Sequence, residues 1–310
     1  MKRILCILLT IALMFAVCAC SAPAGNSDGT TGTTLPQQTS DPVKDDKVLK
    51  VLGIGNSFSV DTMQHLALIA KAEGFKEVRL GNLYISGCKL ETHAANAKGD
   101  LPAYKFYTNF NGSWTSIDNC TLSYALKCED WDIITMQQGS AQSGQADTYE
   151  PYLTELIQYV NDNKTNPYAK LAWNMTWAYQ SDFTKDMFQN YDRDQMKMYN
   201  SIVDAVKTKV QPHSEFTYLM PVGTAIQNAR TSYIGDNLTR DGYHLSELGR
   251  IIGSYTWLAT FLGEPLTQIN TTMVGTSLVL TDSDKQVIME AVNAALEQPL
   301  AITQSSITTK

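Results

Sequence analysis

The sequence predicts an α/β fold, a five-stranded parallel sheet with helices on both faces. Three observations carry this. Short apolar runs recur along the chain, and segments with helical spacing separate them. The runs are continuous rather than alternating, as strands buried on both faces are. Hydrophobic residues make up 44% and charged residues 18% of the 310 residues, with 19 Gly and 10 Pro, a globular composition.

The first strand is expected at 48–54, ending in Gly55-Asn56-Ser57. A helix follows over 61–73, with Met63, Leu66, Ile69 and Ala70 on one side and Gly74 as its stop. The second strand spans 78–85 and ends in Ser86-Gly87. The third covers 133–136 and ends in Gln137-Gln138-Gly139, and a helix follows over 149–161. The fourth strand is 170–174, followed by a helix over 188–210. The fifth is 216–220, closed by Pro221. Helices at 246–262 and 282–296 complete the set, the last capped by Thr281 or Ser283. The long stretch 89–132 holds an aromatic patch, 104–114, readable as a hairpin or a lid.

The beginning of the chain reads as an address. Lys2-Arg3 precede an apolar stretch over 4–19, broken only by Thr10, and then Cys18-Ala19-Cys20-Ser21. This ending resembles a bacterial lipobox, with Cys20 as the lipidated residue and Cys18 the alternative. The apolar stretch is just short of the roughly twenty residues a spanning helix needs. The segment 21–46, rich in Ser, Thr, Gly, Pro and Asp, reads as a flexible tether. The expected organisation is a signal at 1–20, a tether at 21–46, one catalytic-size domain at 47–300 and a tail at 301–310. The body is expected outside a bacterial cell, on its surface or in the periplasm, held to the membrane by lipid alone.

The formal net charge is −7, and loss of Lys2 and Arg3 with the leader takes it to about −9. Affinity for nucleic acid comes largely from Lys and Arg on phosphates, so that class of partner is excluded. Outside the leader remain Cys88, Cys120 and Cys128; export permits a disulfide, and Cys120 and Cys128 are near enough in sequence to form one. No CxxC or HExxH pattern occurs, and neither metal nor organic cofactor is expected.

In open α/β sheets, ligands bind beyond the carboxyl ends of the strands. That collects Asn56, Ser57 and Ser59, then Ser86, Gly87 and Cys88, then Gln137 and Gln138, then 176–179, then Thr224 and Asp241-Gly242-Tyr243-His244. Ser57 stands on a strand-to-helix turn. His244 is the natural base for a serine, and Asp241, three residues earlier, can fix its tautomer. Of the four His, only His244 has a carboxylate at this spacing in a glycine-containing loop after the last strand.

Gly55-Asn56-Ser57-Phe58-Ser59, paired with Asp241-Gly242-Tyr243-His244, resembles the SGNH/GDSL hydrolases, in a bacterial branch that opens Gly-Asn-Ser. The resemblance runs over roughly 48–262. It implies a flavodoxin-like three-layer α/β/α sandwich and an esterase or lipase activity. It implies Ser57 as nucleophile, His244 as base and Asp241 as its orienter. Gly87 matches the second block, and its N–H would join that of Ser57 in the oxyanion hole. Two departures stand out. Asn56 replaces the usual Asp, and no Asn follows strand three. Gln138 is the candidate donor there, with Gln137 beside it. Three functions follow as expectations. The first is a serine esterase removing acetyl or other small acyl groups from carbohydrate. The second is a lipase, lysophospholipase or thioesterase with a deep apolar groove beside Ser57. The third is a glycan-binding lipoprotein whose three residues lie too far apart to react. The available aromatics are Trp114, Trp173, Trp177 and Tyr179; Trp177 and Tyr179 are expected on the active side, and Trp173 in the core.

Overall fold

A computed structural model describes residues 40–110, 112–274 and 278–310. The signal, Cys18, Cys20 and most of the tether lie outside the described residues. Among those described, no helix is long and apolar enough to cross a membrane.

The five expected strands form. They are β1 (Val48–Gly55) and β2 (Glu77–Tyr84), then β5 (Ile133–Met136), β6 (Lys170–Asn174) and β7 (Phe216–Met220). All five run parallel. The apolar runs of the inner strands are buried as such runs must be: all four residues of β5 are buried, as are five in a row at the end of β1, whereas β7, at the sheet edge, is buried only at Met220. The sheet is larger than expected. The aromatic patch is a hairpin, β3 (Tyr104–Asn109) and β4 (Thr115–Cys120), added antiparallel to the edge beside β2. The central sheet therefore has seven strands in the order β4-β3-β2-β1-β5-β6-β7. Strand β4 escaped detection because Thr-Ser-Ile-Asp-Asn is exposed along its length and carries no apolar period.

The helices fall into two packed groups that flank the sheet. One joins α1 (Ser57–Met63), α2 (Leu66–Ala72), α7 (Val222–Arg230), α8 (Glu247–Leu262) and α9 (Asp282–Glu297); the other joins α3 (Leu90–Gly99), α4 (Leu122–Lys127) and α5 (Tyr152–Asn163). Three differences from expectation have local causes. The first helix begins four residues early, at Ser57, because the Asn56 side chain caps it through Phe58 N. The helix expected over 188–210 is broken by Asp192 and Arg193, both at positive φ, and restarts as α6 (Gln195–Ala205) on an Asp194 cap. Thr281, not Ser283, caps α9, with Asp284 closing a capping box.

Both ends of the expected domain extend. Val43 is buried, and Asp41 pairs with Lys170 at 2.8 Å, so the folded body reaches back past the boundary at 46. The tail also packs: Thr303 N donates to Asn228 Oδ1, and Ile307 O accepts from Tyr233 N.

Sheet order reverses between β1 and β5, since β1 is followed by β2 on one side and pairs with β5 on the other. The carboxyl ends of these two strands mark the switch point, where open sheets leave a crevice.

Candidate active site

Ser57 opens α1 at the end of β1. Two residues shape that turn. A Cβ on Gly55 would sit 2.4 Å from Ser59 Oγ, so only glycine lets the chain bend here. Asn56 accepts from Phe58 N and donates through Nδ2 to Cys88 O, tying the Ser57 turn to the loop after β2. That loop turns at Gly87, whose φ of +62° favours glycine. The N–H groups of Ser57 and Gly87 have no acceptor among the described residues.

The Asp241–His244 loop closes over this turn. Ser57 Oγ lies 2.9 Å from His244 Nε2, and His244 Nδ1 lies 2.7 Å from Asp241 Oδ2. The carboxylate requires Nδ1 to carry the proton, which leaves Nε2 as the acceptor for the serine hydroxyl. Asp241 Oδ1 also accepts from His244 N at 2.8 Å. Partial burial pushes the Asp241 carboxyl up, but its hydrogen bonds from His244 outweigh that and leave it below the ordinary carboxylate value. The three residues are thus hydrogen-bonded in line, not widely separated as expected of a glycan-binding lipoprotein that does not react.

The loop is held from below by Asp61, one helical turn after Ser57 and fully buried. Asp61 accepts from Arg240 Nη1 at 3.0 Å, Arg250 Nε at 2.9 Å and Leu245 N at 2.8 Å. Arg240 and Leu245 bracket the Asp241–His244 segment. Sequence reading missed Asp61, which in the sequence is one acidic residue on the helix that Ser57 opens. Trp177 supports the loop from another side, donating from Nε1 to Tyr243 O at 2.7 Å and stacking on Phe58 at 4.1 Å.

Gln138 does not reach the site. Its Nε2 donates to Thr148 O and Oγ1, and its Oε1 accepts from Leu90 N and Gly139 N. Gln137 is equally committed. It donates to Asn56 Oδ1 at 2.9 Å and accepts from Asn174, which accepts in turn from Trp257 Nε1. This buried amide chain braces the ends of β1, β5 and β6 against α8. Gln138→Ala should therefore lower the melting temperature by a few degrees, because it strands two buried N–H groups. Turnover on a small ester should change less than tenfold. A hundredfold rate loss with an unchanged melting temperature would return Gln138 to the oxyanion hole.

The other candidates sort by burial. Trp173, Trp177 and Tyr179 are all buried, so the two aromatics expected on the active side support it rather than line it. Tyr179 donates to Ser140 Oγ at 2.9 Å, and Ser140 does line the cavity. Ser59 donates inside its own turn, and Thr224 donates to Pro299 O. Burial lowers His93 to about 3, which leaves it neutral against Tyr104. Cys88, Cys120 and Cys128 are free thiols. Burial pushes the Cys88 thiol up to about 12, so it offers no thiolate beside Ser57. Among the described residues, no three His, Cys, Asp or Glu side chains converge as a metal site.

Ser57 and His244 open into a cavity of about 570 Å³. Its walls include Gly87, Lys89 and Tyr243, the last collected with the Asp241–His244 segment, and two aromatics that sequence reading did not select, Tyr84 and Tyr107. Tyr84 and Tyr107 come together across the β2–β3 edge, a pairing visible only once the hairpin is placed.

The profile of DUF4886, a domain of unknown function, matches residues 50–276. The chain belongs to the DUF4886 family. A DUF4886 protein of Bacteroides uniformis has a crystal structure that is 38% identical, with a TM-score of 0.77, covering 83% of this chain and 98% of that one. More distant likenesses include an acetylxylan esterase of Geobacillus stearothermophilus (11% identity, TM-score 0.45, 69% of this chain and 94% of that one). A family 3 carbohydrate esterase of Clostridium thermocellum is similar at 14% identity and TM-score 0.43, over 70% of this chain and 96% of that one. No curated protein matches the chain. The DUF4886 match spans both the Ser57 turn and the Asp241–His244 loop, so the two halves of the site fall within one family domain.

Proposed function

We propose that this DUF4886 protein is a serine esterase of the SGNH type that removes acetyl or other small acyl groups from carbohydrate, exported and lipid-anchored at Cys20. The observation that carries the reading is the continuous hydrogen-bonded chain from Asp241 through His244 to Ser57, opening into a tyrosine-lined cavity. In the first step, Ser57 Oγ attacks the ester carbonyl and His244 Nε2 takes its proton. Asp241 holds the imidazole in place and stabilises the imidazolium. The backbone N–H groups of Ser57 and Gly87 face the charge that develops on the carbonyl oxygen, each worth about 2 to 4 kcal/mol in such a role. The alcohol leaves with the proton from His244. Water then attacks the acyl-enzyme, again giving its proton to His244, and the carboxylic acid departs as Ser57 recovers its hydrogen.

The tyrosine faces suit sugar rings, whose C–H surfaces pack on aromatics while their hydroxyls meet the polar rim. The test is a series of p-nitrophenyl acetate, butyrate and octanoate beside acetylated xylo-oligosaccharides. Expected are acetate release from the saccharide and kcat/KM that falls along the series. A kcat/KM that climbs toward octanoate, with no acetate released from saccharide, would transfer the enzyme to the lipase class.

A further inference from the structure

The cavity at Ser57 has a neighbour. A second space of about 180 Å³ is lined by Val60, Gln64, Asn82, Tyr107 and Trp114, and it shares Val60 and Tyr107 with the first. Val60 and Gln64 lie three and seven residues beyond Ser57, the spacing of one helix face, and reach about 10 Å along it at about 1.5 Å per residue. Asn82 and Tyr84 alternate onto the same face of β2, and Tyr107 is the partner of Asn82 across the ladder. Trp114, at the start of the hairpin's return strand, closes the far side, and its Nε1 lies 3.4 Å from Gln64 O. The two spaces thus follow one another between α1 and the hairpin.

The chemistry of the second space is set by Asn82. The residue is only 1% exposed. One end of its amide meets Ser59 Oγ at 2.9 Å, and Ser59 Oγ also lies 2.8 Å from Asn56 O. Ser59 Oγ is the donor in both contacts, to Asn56 O and to Asn82 Oδ1, which leaves the Nδ2 end of the Asn82 amide on the cavity side. That end has no partner among the described residues. An alkyl chain here would bury it unpaired, which is unfavourable. A ring with an apolar face and a hydroxyl edge would satisfy both the Trp114 and Tyr107 faces and the amide. At about 30 Å³ per water, the space equals roughly six waters, the scale of one pyranose.

We propose that this space is a glycan subsite, taking the sugar ring next to the one that bears the acyl group, with Trp114 as its platform. The inference rests on the carbohydrate esterase reading, and its test has one arm that does not depend on turnover. The Ser57→Ala chain is titrated with xylotetraose, cellotetraose and chitotetraose by calorimetry. At least one should bind, and adding Trp114→Ala should weaken it roughly two- to tenfold, the range for loss of one aromatic contact. Trp114→Phe should restore most of the binding. In the turnover arm, Trp114→Ala should raise KM for acetylated xylo-oligosaccharides by a similar factor, and by more than it raises KM for p-nitrophenyl acetate. Binding of none of the three sugars, or binding indifferent to Trp114, overturns the subsite. So does a Trp114→Ala penalty confined to p-nitrophenyl octanoate, which would assign the space to an acyl chain. If no ester is hydrolysed but a tetraose binds through Trp114, the esterase reading fails and the subsite stands.

Discussion

Ser57→Ala should reduce hydrolysis of p-nitrophenyl acetate by about 10⁴- to 10⁶-fold, the scale on which serine hydrolases lose turnover with their nucleophile. The fold should not notice. Asn56, not Ser57, supplies the side-chain cap of α1, and Ser57 gives up only its contact with His244. Alanine is also the best helix former for the vacated first position. The melting temperature should move by no more than about 2 °C, which separates loss of chemistry from loss of structure. The remaining rate should still exceed that of water, because the Ser57 and Gly87 N–H groups survive the change. The assay should also show an acyl-enzyme burst in the parent and none in the variant. Hydrolysis that persists at the parent rate would remove Ser57 as nucleophile.

How much of this was legible in sequence depends on the range of the signal. The strand-one turn and the Asp241–His244 loop were readable because each carries its residue types at short spacing, Gly55-Asn56-Ser57 in one and Asp241 three residues before His244 in the other. The inner parallel strands were readable because burial on both faces demands unbroken apolar runs, and β7 because its residues are mostly apolar although only Met220 is buried. Strand β4 was not, since an exposed edge strand demands nothing apolar. Gln138 illustrates a different limit. Its position after β5 was right for an oxyanion donor, yet its amide is spent on Thr148, Leu90 and Gly139, all brought near by loops whose course the sequence does not declare. Tyr84 and Tyr107 were hidden for the same reason, and Trp114 was selected as an aromatic without a place, because all three are brought together only through cross-strand register. Asp61 was hidden by its ordinariness, one acidic residue on a helix, until its partners arrived from 179 and more residues away.

Those partners make Asp61 the position outside the triad with the largest expected effect. Its carboxylate is the common acceptor for Arg240, Arg250 and Leu245 N, and its side chain is 1% exposed. Asp61→Asn keeps the shape but removes the charge and turns one acceptor into a donor facing guanidinium. Breaking a buried pair from one side costs about 3 to 5 kcal/mol. Arg240 is 41% exposed and can turn to water, so about 2 to 3 kcal/mol is expected here. The kinetic effect should be separate and of similar size. With Arg240 and Leu245 released, the His244 ring is no longer indexed to Ser57, and a displacement of about 1 Å can cost about a hundredfold in rate. The loss should fall on kcat, with KM near the parent value, and should persist well below the melting temperature. A double-mutant cycle decides whether Asp61 acts through the base. If Asp61 only positions His244, adding Asp61→Asn to His244→Ala should cost almost no further rate, though each alone is severe. Full additivity of the two losses would show that Asp61 serves the fold and not the alignment of His244 with Ser57.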